Sequence, residues 1–323
     1  MSDAHTPLRV TEVFGLSPLR TRLREALLTL RGDPHTPPSR FDHTSLRMFR
    51  PRMALPLWRG VAARGREVPI YNLFSRVRPP PDSAWSVRVT FARDFLGTQL
   101  TYDSHNGTDF AVPLGTVVVA AAPGVVRRVS SEFNRGGLKV FIDHGEGLVT
   151  TSNHLARALV RVGDRVRRGE PVALSGYSGL DGLTTFPWGA PHVHYNTWLD
   201  GEHVDPFARE GEVALWRNGN WPVPDAGGGA EEAVAPSAWD EDAIARALAA
   251  CVHEGSRREV EAEADRDARA MTLLFHMNYY PTRFRERPCI YRETHARAPR
   301  LDLPFRGEDF DGIWFPHGTE PKR

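Results

Sequence analysis

The sequence contains few cysteines and almost no lysine, and it lacks a long apolar run. Its two cysteines, Cys251 and Cys289, lie far apart, which argues against a disulfide framework and against a zinc site built from thiolates. No apolar stretch reaches the roughly 18 residues that a membrane-spanning helix needs. The formal net charge is only +1, so composition gives no support for a protein that coats nucleic acid or an anionic membrane.

The N-terminal segment, Met1 to Val10, lacks the basic start, the apolar stretch and the small-residue cleavage site of a signal peptide. No transmembrane segment is visible either. As written, the sequence therefore indicates a cytoplasmic chain, with the cell envelope or the extracellular space as the alternative if the chain is exported. Nothing in the sequence indicates an oligomeric state.

The residue composition changes three times along the sequence, which predicts one domain with flanking regions. Residues 1–84 are rich in Pro and Arg, and we expect an irregular N-terminal extension with a helix. Residues 85–220 are rich in valine and are interrupted at short intervals by glycine, a pattern typical of short antiparallel strands. Residues 221–238 are small and flexible and predict a linker, and 239–323 predict a C-terminal helical extension. The predicted fold class is thus a mainly β core with helical extensions, α+β overall.

Two helical regions can be placed more closely. Ser17-Pro18 has the form of a helix start, and four leucines then recur at helical spacing up to Gly32. We expect this amphipathic helix to pack its leucines on a neighbouring surface. The stretch from Trp239 to about Tyr279 predicts two helices with a break near Gly255.

Five polar residues of the β-rich segment call for a common explanation: His105, Asp109, His154, His192 and His194. A catalytic zinc ion takes about three protein ligands from His, Asp or Glu and leaves one position for water. Gly107 permits a tight bend between His105 and Asp109, so both side chains could converge on one point. Residues two apart on a strand share a face, so His192 and His194 would face one cleft. Zinc makes a water-derived nucleophile available at neutral pH, so this pattern favours metal-assisted hydrolysis of a peptide bond.

The stretch from His105 to about Phe207 resembles the LytM and lysostaphin family of zinc metallopeptidases, which cut peptide cross-bridges and stems in bacterial cell walls. The resemblance covers about a third of the chain. It rests on several short motifs in addition to the His105-x-Gly-x-Asp109 pattern: Gly115 to Val126, His144-Gly145-Glu146-Gly147, His154-Leu155, Val162 to Val166, Gly176-Tyr177-Ser178-Gly179, Pro191 to Tyr195, and Val204-Asp205-Pro206. The family pattern often has an aromatic residue where this chain has Ser152, so we expect substrate packing around the cleft to differ from the family's.

The resemblance implies a role for each of the five residues. His105, Asp109 and His194 would hold one Zn²⁺ ion per catalytic domain. His192 would be the general base, and His154 would orient the attacking water and stabilise the transition state. The implied fold is a mainly β core with the family's open groove, and the implied partners are peptidoglycan peptides.

Two other functions remain open at this point. The segment could be a non-catalytic module of the same family that binds or activates a cell-wall hydrolase, although the presence of all five residues counts against it. It could also be a carrier domain of the biotinyl or lipoyl type, because the turn at Gly163-Asp164 suits that fold. A carrier needs an exposed lysine at a hairpin tip, however, and Lys139 stands beside strand-like residues instead.

Overall fold

The centre of the molecule is one mainly antiparallel sheet, seen here in a computed structural model that describes residues 6–80, 82–227, 233–235 and 237–316. Eleven strands form the sheet within these residues. The strands, in chain order, are β1 (Glu67–Asn72), β2 (Thr108–Ala111), β3 (Val117–Val119), β4 (Gly124–Glu132), β5 (Gly137–Asp143), β6 (Leu148–Ala158), β7 (Arg165–Val166), β8 (Pro171–Ser175), β9 (His192–Leu199), β10 (Glu202–Val204) and β11 (Gly312–Trp314).

The main path through the sheet runs β11-β1-β2-β9-β6-β5-β4-β7. β10 pairs with β9, and β8 pairs with both β3 and β6. Every pairing is antiparallel except that of β1 with β11. The valine-rich, glycine-interrupted pattern thus predicted the mainly β core correctly. Val87 and Val89 alternate with Arg88 and Thr90, a period of two that is typical of a strand, but this stretch forms no strand.

Seven α-helices surround the sheet within the described residues. They are α1 (Val10–Val13), α2 (Leu19–Arg31), α3 (Pro51–Trp58), α4 (Leu180–Thr185), α5 (Glu241–Ala250), α6 (Glu254–Ala262) and α7 (Arg266–Tyr279). Short 3₁₀ turns occupy His43–Met48 and Pro281–Arg283. No described helix has the length and apolar character that a membrane crossing requires. The fold is therefore α+β, as predicted.

The position of α2 is confirmed, but its predicted packing is wrong. The helix begins after Pro18 and ends at Gly32, which has a positive φ of 67°. Its four leucines are between 46% and 65% exposed. The helix instead buries Arg22, whose guanidinium donates a 2.7 Å hydrogen bond to the carbonyl of Ser131 in β4. The contact of Arg22 therefore attaches α2 to the sheet, and it is Leu28, outside the four predicted leucines, that packs against a core cluster.

The C-terminal region forms three helices where two were predicted. Gly255 lies inside α6, and the breaks fall at 251–253 and 263–265. The helices begin at side-chain caps, with Asp240, His253 and Asp265 each accepting a hydrogen bond from a backbone N–H of the first turn. Since α7 buries most of its residues against the sheet, this extension is part of the packed structure.

Both flanking regions contribute to the hydrophobic interior. β1, from the predicted N-terminal extension, lies between β2 and the C-terminal β11. One core cluster joins Val68 and Ile70 of β1 to Leu303 and Phe305. A second joins Trp198 of β9 to residues of α5 and α7. The predicted linker 221–238 includes residues 228–232 and 236, which lie outside the described residues, so the domain limits stay a prediction.

Candidate metal centre

The pairing of β2 with β9 brings two of the predicted ligands together. Asp109 lies opposite His194 in the register, and Ala111 lies opposite His192. His192 and His194 are two residues apart on β9, so their side chains project from the same face, as the sequence predicted. His105 precedes β2, and its ring nitrogen Nδ1 lies 2.6 Å from the carbonyl oxygen of Leu73.

Three ligand-type atoms converge at this point. His105 Nε2 lies 3.0 Å from Asp109 Oδ1 and 3.1 Å from His194 Nδ1, and the latter lies 2.7 Å from Asp109 Oδ1. Ligand atoms on a tetrahedral zinc ion with bonds of about 2.0–2.1 Å are about 3.3 Å apart, so this triangle is close to one face of such a polyhedron. It is the one such group of His, Cys, Asp and Glu in the part of the chain that the structure describes. The donor set and its spacing therefore fit a zinc ion.

The remaining polar atoms of these side chains have partners that orient them. With Nδ1–H of His105 donating to the Leu73 carbonyl, Nε2 keeps its lone pair for a metal. Asp109 Oδ2 accepts a 2.7 Å hydrogen bond from Asn72 Nδ2. His194 Nε2 lies 3.1 Å from Asn106 Oδ1 and 3.0 Å from Asn196 Nδ2, so this nitrogen is engaged by amides and Nδ1 is the atom that faces Asp109 and His105. Asn72 belongs to β1, and no spacing pattern in the sequence links it to Asp109.

Burial and mutual charge set the electrostatics of the group. Burial would raise the pKa of Asp109, but the surrounding histidines hold it well below its usual range. Burial lowers the pKa of His194 to about 4, despite the opposing effect of Asp109. At neutral pH the group is thus an ionised carboxylate with an unprotonated His194, which is the state that metal binding needs.

His192 and His154 lie beside the triangle. The Nδ1 atom of His192 is 2.8 Å from the carbonyl of Ala190, and its Nε2 is 3.6 Å from Asp109 Oδ1. The rings of His154 and His192 have centroids 4.8 Å apart. All five predicted site residues are therefore brought together, and each is at most 7% exposed.

The backbone at His154 departs from regular β geometry. Its φ is +59°, in the left-handed region that non-glycine residues seldom adopt. The register of β6 against β5 shifts by one residue between Ser152 and Leu155, so a bulge falls on this histidine. Bulges redirect side chains and are frequent beside active sites. The His154 N–H donates to the carbonyl of Gly136 at 2.8 Å, and its Nδ1 lies 2.8 Å from the carbonyl of Ser178.

The C-terminal extension also reaches the centre. Tyr279, the last residue of α7, donates its hydroxyl to Asn196 Oδ1 at 2.8 Å and lies 3.2 Å from Asn153 Oδ1. Asn196 Nδ2 in turn donates to the carbonyl of Asn106 at 2.8 Å. The extension thus orients the two amides that flank His194. No spacing pattern in the sequence predicts this contact, since Tyr279 is 83 residues away from Asn196.

Histidines outside the centre have ordinary structural roles. The two ring nitrogens of His144 contact the carbonyl of Pro123 and the hydroxyl of Thr150. His276 contacts Glu259, and His253 caps α6. Lys139 is fully buried and pairs with a carboxylate, which removes the basis for the carrier hypothesis.

Comparison with known proteins agrees with this geometry. The family model of peptidase family M23 matches residues 103–206. An uncharacterised metalloprotease of Haemophilus influenzae is 37% identical over 103 residues, which cover 32% of this chain and 20% of the relative. The peptidoglycan DD-endopeptidase ShyA of Vibrio cholerae is 36% identical over 129 residues, or 40% of this chain and 28% of the relative. This chain therefore spans less than a third of the length of these two relatives.

Among solved structures, the catalytic domain of the antimicrobial peptidase lysostaphin from Staphylococcus simulans shares 27% identity with this chain. The overlay covers 32% of this chain and 76% of that one, with a TM-score of 0.28. The match to the M23 family model extends from residue 103 to residue 206, so it includes all five clustered residues. Residues 103–206 of this chain are thus a domain of peptidase family M23, the LytM and lysostaphin family of metallopeptidases.

Proposed function

We propose that this chain is a zinc metalloendopeptidase that hydrolyses peptide bonds in the stems or cross-bridges of peptidoglycan. The proposal rests on one observation: His105 Nε2, Asp109 Oδ1 and His194 Nδ1 lie within hydrogen-bond distance of one another. Three buried acceptor atoms this close together repel one another unless a proton or a cation lies between them. A zinc ion held by these three residues would polarise the scissile carbonyl and acidify water.

The substrate class rests on the relatives. Two of them are a peptidoglycan DD-endopeptidase of Vibrio cholerae and a DD-carboxypeptidase/endopeptidase of Neisseria meningitidis. Their matched segments cover 28% and 23% of their own lengths, so the assignment to this chain is a proposal. We take the same substrate class because the matched segment is the one that holds the candidate metal centre.

His192 is the proposed general base. With Nδ1–H donating to the carbonyl of Ala190, its Nε2 carries a lone pair that is directed to the metal side of the cleft. Nε2 would take a proton from the attacking water and later deliver it to the leaving amine. The 2.8 Å contact with Ala190 fixes the tautomer that this transfer needs.

His154 is the proposed positioning group for water and for the charge that develops on the carbonyl oxygen. Its Nδ1 lies 2.8 Å from the Ser178 carbonyl, so Nε2 is the atom that remains for the reaction. The bulge in β6 aims this ring at His192, 4.8 Å away between centroids. A strained backbone of this kind persists where the surrounding structure enforces it, and a catalytic requirement explains its presence here.

A combined metal and digestion assay tests the proposal. We expect about one zinc ion per chain by elemental analysis, and new amino termini in purified peptidoglycan by mass spectrometry. The exposed variant His43→Ala, which lies outside the centre, serves as the matched control and should behave as the wild type. Zinc binding without any cleavage would favour the alternative, a non-catalytic module that binds or activates a cell-wall hydrolase.

A further inference from the structure

A cavity of about 330 Å³ lies beside the candidate metal centre, where both flanking regions meet the sheet. His105 and Asn106 form the part of its wall next to the metal centre. Trp85 comes from the segment before the family match, and Tyr280 follows α7. The cavity is therefore built jointly by the M23 domain and by the two extensions, and it is large enough for a small peptide fragment.

Arg135 is the most deeply buried arginine of this wall. It is only 8% exposed, and its guanidinium lies 5.6 Å from the ring centroid of Trp85 and 5.0 Å from that of Tyr280. Its Nε donates to the carbonyl of Tyr279 at 3.0 Å, and one Nη donates to the carbonyl of Asn134 at 2.8 Å. The other Nη has no hydrogen-bond partner among the residues that the structure describes.

The charge of Arg135 has no carboxylate partner within ion-pair distance in the described part of the chain. Arg128 on the neighbouring strand β4 is equally buried, yet it pairs with Glu132 and Glu259. Arginine stays protonated even when it is buried, and an uncompensated buried charge is costly. The carbonyl end of α7 offsets part of that cost at Arg135, but a carbonyl is a weaker partner than a carboxylate.

The carboxylates in the cavity wall are already engaged. Asp103 accepts hydrogen bonds from the backbone and the hydroxyl of Thr90. Glu202 pairs with Arg78 at 2.8 Å. Arg287, which is exposed in the same wall, has no carboxylate partner among the described residues and bonds only the carbonyl of Met277. The cavity therefore has an excess of positive charge.

We propose that this cavity is a subsite for a free carboxylate of the substrate peptide, with the unpartnered Nη of Arg135 as its principal donor and Arg287 as a second positive charge. The inference rests on the proposed function, because it assigns a substrate group to the same site. The carboxylate is either the C-terminal one of the peptide or one on a side chain. Both have the same chemistry towards a guanidinium.

The position of Arg135 links this subsite to the reaction. The next residue, Gly136, accepts the backbone hydrogen bond of His154. A Cβ at Gly136 would lie 3.3 Å from the Cβ of Asn153, so the turn packs directly on β6 at the bulge. A carboxylate at Arg135 would therefore fix the peptide next to His105, and would select which bond enters the metal centre.

Three dipeptide probes distinguish binding of a C-terminal carboxylate from binding of a side-chain carboxylate. N-acetyl-D-alanyl-D-alanine has only a C-terminal carboxylate, its C-terminal amide has none, and N-acetyl-D-glutamyl-D-alanine amide has only a side-chain carboxylate. Binding is measured by calorimetry on the full, zinc-loaded chain with His192→Ala, so that the probe is not consumed. We expect at least one acid probe to bind about ten-fold more tightly than the amide without a carboxylate.

The variants test whether Arg135 causes this preference. Arg135→Gln should abolish the acid preference and leave the affinity for the uncharged amide unchanged, whereas a merely structural role would weaken both probes equally. Arg287→Gln should reduce the preference by a few-fold, and its exposed neighbour Arg285→Gln, outside the cavity wall, should not. If Arg135→Gln fails to fold, the acid preference of the parent chain and the contrast between Arg287→Gln and Arg285→Gln decide the question.

Two results would overturn the subsite: equal affinity for acid and amide probes in the parent chain, or an acid preference that persists in Arg135→Gln. Failure of the proposed function has a different signature. In that case the wild-type chain cleaves no peptidoglycan, while the acid preference and its dependence on Arg135 remain measurable.

Discussion

The M23 domain, residues 103–206, and the flanking regions contribute differently to the same centre. The domain supplies all five residues that carry the proposed chemistry, and each of them stands in a recognisable spacing. The flanks supply Asn72, the carbonyl of Leu73 and the hydroxyl of Tyr279, which orient those residues. Reactive groups are thus concentrated in one segment, whereas the groups that hold them in place are distributed over the chain.

In metal sites generally, the ligands are more constrained in sequence than the residues that orient them. A ligand must present one atom in one direction, so its residue type and spacing are constrained. A residue that orients a ligand needs only to reach it with a suitable donor or acceptor, and many positions in the chain can do so. We therefore expect substitutions in the domain to abolish function, and substitutions in the flanks to weaken it by degrees.

The largest expected effect in this comparison is that of His192→Ala. Loss of the general base should lower kcat by about 10²- to 10⁴-fold while leaving zinc content near that of the wild type. The measurement is the rate of release of new amino groups from peptidoglycan, together with elemental analysis. A variant with unchanged kcat would remove His192 from the proposed mechanism.

A flanking residue should produce the next effect. Asn72→Ala removes the hydrogen bond to Asp109 Oδ2, and we expect zinc affinity to fall by about 10- to 100-fold. Competition with a chelator measures the affinity. Asn218→Ala, which replaces an exposed asparagine in a turn, is the matched control. Equal zinc affinities in the two variants would mean that β1 does not support the metal centre.

The smallest effect is expected at the C-terminal extension. Tyr279→Phe removes the hydroxyl that contacts Asn153 and Asn196, which should lower the free energy of unfolding by about 1 kcal/mol and the activity by a few-fold. Tyr291→Phe is the control, because the buried hydroxyl of Tyr291 has no hydrogen-bond partner among the described residues. Denaturant unfolding and peptidoglycan digestion compare the two. If both variants behaved alike, the hydroxyl of Tyr279 would have no positioning role.

The sequence predicted the mainly β core and the cluster of five residues because both depend on local patterns. Valine alternation and glycine turns specify short strands, and His192-Val193-His194 on a strand specifies a shared face. The order of β1, β2 and β11 depends on pairings between residues up to 245 positions apart, such as Glu67 with Gly312. No local pattern encodes such a pairing.

The same limit explains the errors. The leucines of α2 follow helical spacing, which predicts a helix but not the surface on which it packs, and Arg22 makes the observed contact instead. The alternation at residues 87–90 is typical of a strand, but this stretch pairs with no strand among the described residues. In the sequence Arg135 is one of many arginines, and only the folded chain reveals its burial with no carboxylate partner in the part that the structure describes.

The central claim is that His105, Asp109 and His194 hold one zinc ion, and zinc stoichiometry tests it most directly. Elemental analysis of the full chain after dialysis against buffered zinc should give about one ion per wild-type chain. His194→Ala should give none, and the control His43→Ala should match the wild type. Full zinc occupancy in a folded His194→Ala variant, or no zinc in the wild type, would contradict the account.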